Sequence, residues 1–160
     1  ANHTSMMDIA VLMYKLKKYP VAFLSKQTTA ELFAIGKWTP PLGCVMIDRG
    51  DDRKAAESII NVIRNVKSGS TMVIFPEGTR SKDIGKLREF KPGSFKVALK
   101  SKAPLVPITI SKPKNFKSVK WPMPKRITIV IHEPIPFEDI KGMPSMDLAD
   151  KVKTIIEGSL

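Results

Sequence analysis

Short β-branched apolar runs alternate with stretches of helical period along this chain, and that alternation constrains the fold more than any other feature. Val21–Leu24, Cys44–Ile47, Thr71–Phe75, Leu105–Ile110 and Ile127–Ile131 read as strands. Residues 6–19 read as a helix ending before Pro20, with lysines in its last turn where the helix dipole favours them. Thr28 with Glu31 has capping-box spacing for a second helix running to about Gly36. Asp51 or Asp52 starts a third, with Ala55, Ala56, Ile59, Ile60, Ile63 and Val66 on one face. Gly93 to Ser101 and Asp147 to Glu157 complete the helices. Strands joined through helices need crossover connections, so the expected fold is α/β, a mostly parallel central sheet flanked by helices. The runs 71–75 and 105–110 suit central strands buried on both faces.

The chain has 160 residues, the length of one domain, and we treat 1–160 as a single unit. The single cysteine, Cys44, excludes an internal disulfide, and with His3 and His132 the only histidines no metal-ligand cluster is visible. A formal charge of +12 calls for an anionic partner: nucleic acid, a membrane surface or a phosphorylated ligand. The chain opens at Ala1-Asn2-His3, inside a candidate reactive motif, and we expect a membrane-associated N-terminal segment to precede it. No apolar run approaches the ~20 residues that span a bilayer.

Four segments could carry chemistry. His3 and Asp8 cannot meet along one helix face, because five residues turn a helix by about 500°. They can meet if His3 lies in a loop and Asp8 in the first turn that follows, with Thr4 or Ser5 as the cap. A carboxylate on one imidazole nitrogen then leaves the other as a base; a solvated histidine and a helix-start acid would read the same way. Phe75-Pro76-Glu77-Gly78-Thr79-Arg80-Ser81 follows a strand at its carboxyl end, where open α/β sheets bind ligands. Arg80, with hydroxyls and turn amides, suits a phosphate, although an ordinary turn with a solvated Arg has the same letters. Asp48-Arg49 ends another strand, and Arg49 arriving beside Arg80 would complete an anion site; a surface ion pair is the plain alternative. Val106-Pro107-Ile108 places a proline in an apolar strand, which marks an edge, a start or a bulge.

Segment 111–126 holds six basic residues, three prolines and no acid. Lys112, Lys114, Lys117, Lys120, Lys125 and Arg126, with Trp121 among them, read as a membrane-surface anchor, or else as a solvated loop.

Taken together and in this order, His-x4-Asp, Gly-x3-Ile-Asp-Arg, Phe-Pro-Glu-Gly-Thr-Arg-Ser and Val-Pro-Ile resemble the four-motif signature of the glycerolipid acyltransferases, and within them the bacterial lysophosphatidate acyltransferases. Phe90-Lys91-Pro92-Gly93 is similar to the segment between the third and fourth motifs of that family. The resemblance implies a glycerol-3-phosphate acyltransferase-like fold. It implies His3 as general base, Asp8 as its orienting partner, and Arg49, Glu77, Gly78, Thr79 and Arg80 around the acceptor phosphate, with Glu77 aiming Arg80 or binding a glycerol hydroxyl. Val106 and Pro107 form its fourth motif, on the acyl-donor side. It implies an acyl-CoA or acyl-carrier protein as co-substrate, lysophosphatidic acid as acceptor, no other cofactor, no metal, and a place at the cytoplasmic face of a bacterial plasma membrane. Glycerol-3-phosphate or another lysophospholipid is the alternative acceptor. A different class, an inactive basic membrane-surface or nucleic-acid-binding module, remains open, although no nucleic-acid module is recognisable and no nucleic acid is expected. Cys44 falls within a strand and is a poor nucleophile; His132 reads as structural.

Overall fold

The computed structural model describes residues 1–26, 43–48, 50–113 and 126–160. Helix α1 covers Met7–Lys15 and β1 covers Val21–Lys26. Strand β2 (Val45–Ile47), α2 (Asp52–Lys67), β3 (Thr71–Val73) and α3 (Pro92–Ser101) follow. The chain closes with β4 (Ile108–Ser111), β5 (Thr128–Ile131), a 3-10 turn at Phe137–Asp139 and α4 (Ser145–Glu157). The helix expected from Thr28, Arg49 and segment 114–125 lie outside the described residues.

The α/β expectation holds. Strands β2, β1 and β3 form a parallel sheet in that order, with Leu24 opposite Val45 and Phe23 opposite Val73. The second half adds an antiparallel pair. β4 and β5 pair antiparallel as a separate two-stranded ladder, Ile108 opposite Ile131 and Ser111 opposite Thr128. Pro107 shows why β4 is short: it cannot donate to a ladder, and the strand begins only after it. Leu105 instead makes an isolated antiparallel bridge to Ile135, and the carbonyl of Pro107 accepts from the His132 amide.

Helix α2 starts where its cap predicts. The Asp51 carboxylate accepts from the Arg53 and Lys54 amides, satisfying two of the free N–H groups of the first turn. Its buried face is rotated from the expected one. Val62 is fully buried and Ser58 nearly so, while Ala56 and Ile60 face outward. The Ser58 hydroxyl reaches the Met46 carbonyl, tying α2 to β2.

Two apolar clusters form the core. Leu12, Val21, Phe23, Val73, Ile108 and Ile110 bring α1, the parallel sheet and β4 together. Phe90, Phe95, Ile140, Leu148, Val152 and Ile156 join α3 and α4. Buried Thr109 ties β4 to α4. Its hydroxyl has one proton, which goes to the Ile156 carbonyl at 3.1 Å, so its oxygen accepts from His132 Nε2 at 2.8 Å. That arrangement gives His132 a packing role.

Candidate active site

Parallel pairing puts the carboxyl ends of β2 and β3 on the same edge of the sheet, and the segment Phe75–Ser81 begins there. Pro76 occupies the second position of a β-turn closed by the Gly78 amide on the Phe75 carbonyl at 3.0 Å. Gly78 has φ +71°, a left-handed conformation that any side chain would strain. A Cβ there would also lie 2.9 Å from the Lys91 side chain, which covers the turn.

The first three residues lace this turn to β4. The Ala1 nitrogen donates to the Ile74 carbonyl. The Asn2 side-chain amide meets β4 as a neighbouring strand would, donating to the Ile110 carbonyl at 2.9 Å and accepting from its amide at 2.7 Å. His3 is held at both main-chain groups: its amide donates to Glu77 Oε1 at 2.6 Å, and its carbonyl accepts from the Ser81 amide at 2.8 Å.

His3 and Asp8 come together in the way the loop-then-helix reading requires. His3 Nδ1 lies 2.9 Å from Asp8 Oδ2, and the same oxygen accepts from the Thr4 and Ser5 amides at 2.8 and 2.9 Å. Asp8 itself, in the first turn of α1, therefore takes up the free amides ahead of the helix. Asp8 is fully buried. Burial raises its pKa, but the hydrogen bonds from His3, Lys112, Ser5 and Thr4 outweigh it and hold the carboxyl well below the usual range. An ionised carboxylate can only accept, so His3 Nδ1 donates, and in the neutral ring the lone pair is then on Nε2. The imidazole stacks on Phe75, with centroids 4.1 Å apart and planes 19° apart. Its side chain keeps 12% exposure, enough for a substrate group to reach it.

Two expected roles change. Lys112, read from the sequence as part of a membrane-facing basic run, is buried. Its ammonium is bonded to Asp8 Oδ1, Thr4 Oγ1 and Ser5 Oγ. Glu77, expected to serve Arg80 or a glycerol hydroxyl, is also buried, and both its oxygens are engaged by backbone amides, of His3 and of Arg88. Burial raises its pKa, opposed by those two bonds. Its visible function is to hold the His3 main chain.

Thr79 and Arg80 are exposed on the turn, next to half-buried Gly78. Val106 is exposed and Pro107 buried. Arg126 is exposed at the edge of the described structure. A cleft of about 370 Å³ borders the dyad from the β4 side, lined by Thr4, Ile84, Ile110, Lys112 and Pro113 among others. Cys44 is half-buried and its thiol pKa is pushed up by burial, which makes it a weak nucleophile. Among the described residues no group of three His, Cys, Asp or Glu side chains could hold a metal ion.

Asn2 was missed as a site residue by sequence reasoning, and Lys112 was assigned to the membrane surface rather than to the dyad. Asn2 had a signal in its place beside His3. Lys112 had none apart from its sign.

Comparison with known proteins identifies the family. The Acyltransferase family model matches residues 1–111, which include both polar motifs. A chloroplastic 1-acyl-sn-glycerol-3-phosphate acyltransferase of Brassica napus is 38% identical over 110 residues, covering 69% of this chain and 31% of that protein. The enzyme of the same name from Cocos nucifera is 34% identical over 151 residues, covering 86% of this chain and 45% of that protein. The one from Borreliella burgdorferi is 31% identical over 115 residues, covering 72% and 45%. The chain thus spans 31–45% of the length of these curated relatives. The crystal structure of the 1-acyl-sn-glycerophosphate acyltransferase PlsC of Thermotoga maritima matches with a TM-score of 0.78 at 24% identity, over 99% of this chain and 62% of that one, a likeness of fold.

The buried carboxylate gives the fold a pH dependence. Because the folded-state pKa of Asp8 is depressed, its stabilisation is complete above the unfolded value of about 4 and drains away as pH falls below it. Asp8→Asn takes the Asp8 counter-charge away from buried Lys112 and should cost about 3–5 kcal/mol at pH 7 in denaturant unfolding. The gap to the unsubstituted chain should narrow below pH 4. Equal stability at pH 7 would show that the pair is not formed.

Proposed function

The chain belongs to the acyltransferase family, and from that premise we propose that it transfers an acyl group from a thioester donor, acyl-CoA or acyl-carrier protein, to the free hydroxyl of 1-acyl-sn-glycerol-3-phosphate. The observation that carries this reading is the His3–Asp8 contact at 2.9 Å with Nε2 free and the ring still accessible.

In this reading His3 Nε2 takes the proton of the acceptor hydroxyl while Asp8 holds Nδ1 and stabilises the imidazolium. The hydroxyl oxygen attacks the thioester carbonyl. The tetrahedral intermediate collapses with loss of thiolate, which receives the proton from His3. The products are an ester and a free thiol, and the transfer is direct, without an acyl-enzyme. The names of the similar proteins support the choice of acceptor.

Arg80 serves the acceptor phosphate. It is exposed beside Thr79 on a turn whose Glu77 and Ser81 side chains are taken up internally, and a guanidinium offers phosphate a bidentate fork. Arg49 is its partner in this proposal. Contact with an anionic membrane brings the lipid acceptor to the site. The four lysines of 114–125 and Trp121 supply charge and an interfacial ring. Exposed Met6, Met7, Met13 and Tyr14 on and beside α1 add apolar surface, with Lys17 over the Tyr14 ring at 5.0 Å. Lys112 is withdrawn from that surface. No helix among the described residues is long and apolar enough to cross a membrane.

An acyl-transfer assay with lysophosphatidate, glycerol-3-phosphate and other lysophospholipids tests the acceptor. His3→Ala should lower turnover by about 10²–10⁴-fold with the fold intact; activity near the unsubstituted level removes His3 from the chemistry. Arg80→Lys should raise the acceptor KM and spare the donor KM, because charge is kept and the fork is lost. The reverse pattern would move Arg80 to the donor side. Replacing Lys114, Lys117, Lys120 and Lys125 by Gln should weaken co-sedimentation with phosphatidylglycerol vesicles, most visibly at low salt. Unchanged co-sedimentation would take membrane contact away from that segment.

A further inference from the structure

We propose that Lys112 is a positioning residue of the dyad: its ammonium fixes the Asp8 carboxylate and neutralises it, so that His3 stays unprotonated and ready to act as a base. This deepens the reading of His3 given above and rests on it.

Among the described residues every proton of the lysine has an oxygen to meet. The Lys112 side chain is 1% exposed, and an ammonium has three protons to place. Three oxygens receive them: Asp8 Oδ1, Thr4 Oγ1 and Ser5 Oγ. The carboxylate's oxygens are met as well. Oδ1 takes Lys112 and the Ser5 hydroxyl, whereas Oδ2 takes His3 Nδ1 and the two amides. The carboxylate cannot turn without breaking both sets, so the direction it imposes on the imidazole is set from the far side by a residue beyond β4.

The charge argument follows from the same contacts. A buried carboxylate alone beside an imidazole favours the imidazolium, and a base that already carries its proton cannot take another. A lysine on the opposite oxygen brings the pair to zero net charge and removes most of that pull. Among the described residues the charged side chains facing the dyad are Asp8 on α1, Glu77 on the turn after β3, and Lys112 after β4. Glu77 touches the His3 main chain, and Asp8 and Lys112 form the ion pair beside the ring, so Lys112 is the group that opposes Asp8.

Only two histidines are present, so the His3 and His132 ring protons can be followed by NMR, with His3→Ala giving the assignment. Lys112→Gln keeps a donor and loses the charge. It should move the His3 titration midpoint up by about one pH unit. The acidic limb of kcat/KM should move by the same amount, with activity lost at pH 6–7 and recovered near pH 9, and with both substrate KM values kept. Lys112→Arg keeps the charge and should leave the midpoint in place. The His132 resonance reports that the fold is intact. An unmoved midpoint in Lys112→Gln, or activity lost equally at every pH, overturns the proposal. Should Lys112→Gln not fold, an upward shift of a full unit in Lys112→Arg overturns it equally. The ring titration does not depend on turnover, so an inactive unsubstituted chain would remove the acyl-transfer reading and still leave the effect of Lys112 measurable.

Discussion

A carboxylate without water must have every lone pair met, and the structure around Asp8 is arranged to meet that demand. Two backbone amides, an imidazole, a hydroxyl and an ammonium converge on it from the Thr4–Ser5 bend, His3 and the end of β4. The position of α1 against the sheet, the loop conformation of residues 3–5 and the depth of Lys112 all follow from this. Removing any one partner leaves a buried charge partly unsatisfied, which costs more than the bond itself contributes.

His3 depends on a second set of contacts, made through the main chain. Glu77 and Ser81 grip its amide and carbonyl, and Asn2 spans to Ile110 with its side-chain amide. The Pro-Glu-Gly-Thr-Arg-Ser turn thus divides its labour. Its buried members, Glu77 and Ser81, hold the histidine, and its exposed members, Thr79 and Arg80, face outward. Polar residues crowded into one turn need not all address a ligand; here the backbone of a neighbouring loop uses half of them.

Much of this was legible beforehand. β1, β2 and the first part of β3 stand where apolar runs lie, and Asp51 caps α2 as its spacing indicates. The local pair His3–Asp8 could be inferred because five residues separate it. Contacts across the fold could not. Lys112 is 104 residues from Asp8, and in a run of lysines nothing in the letters marks the one that goes inward. Glu77 was misassigned because a carboxylate beside an arginine suggests an ion pair, whereas its partners are amides, which leave no trace in sequence. The antiparallel β4–β5 ladder escaped because period and β-branching identify strands without giving direction. On α2, period put Ala56 and Ile60 in the buried stripe with Ala55, Ile59, Ile63 and Val66; packing leaves the first two exposed and the other four half-buried, and buries Ser58 and Val62 most deeply.

The long reach of Asn2 and Lys112 also has a meaning in time. His3 and Asp8 are neighbours in the chain, but the residues that fix them, Ile110 and Lys112, come more than a hundred positions later. A ribosome making the chain at about 5–20 residues per second releases the motif several seconds before its scaffold. During that interval the imidazole has a carboxylate within reach and no frame around either. The dyad is assembled only when β4 docks, so the nascent chain stays without a finished site until almost the whole core can close around it.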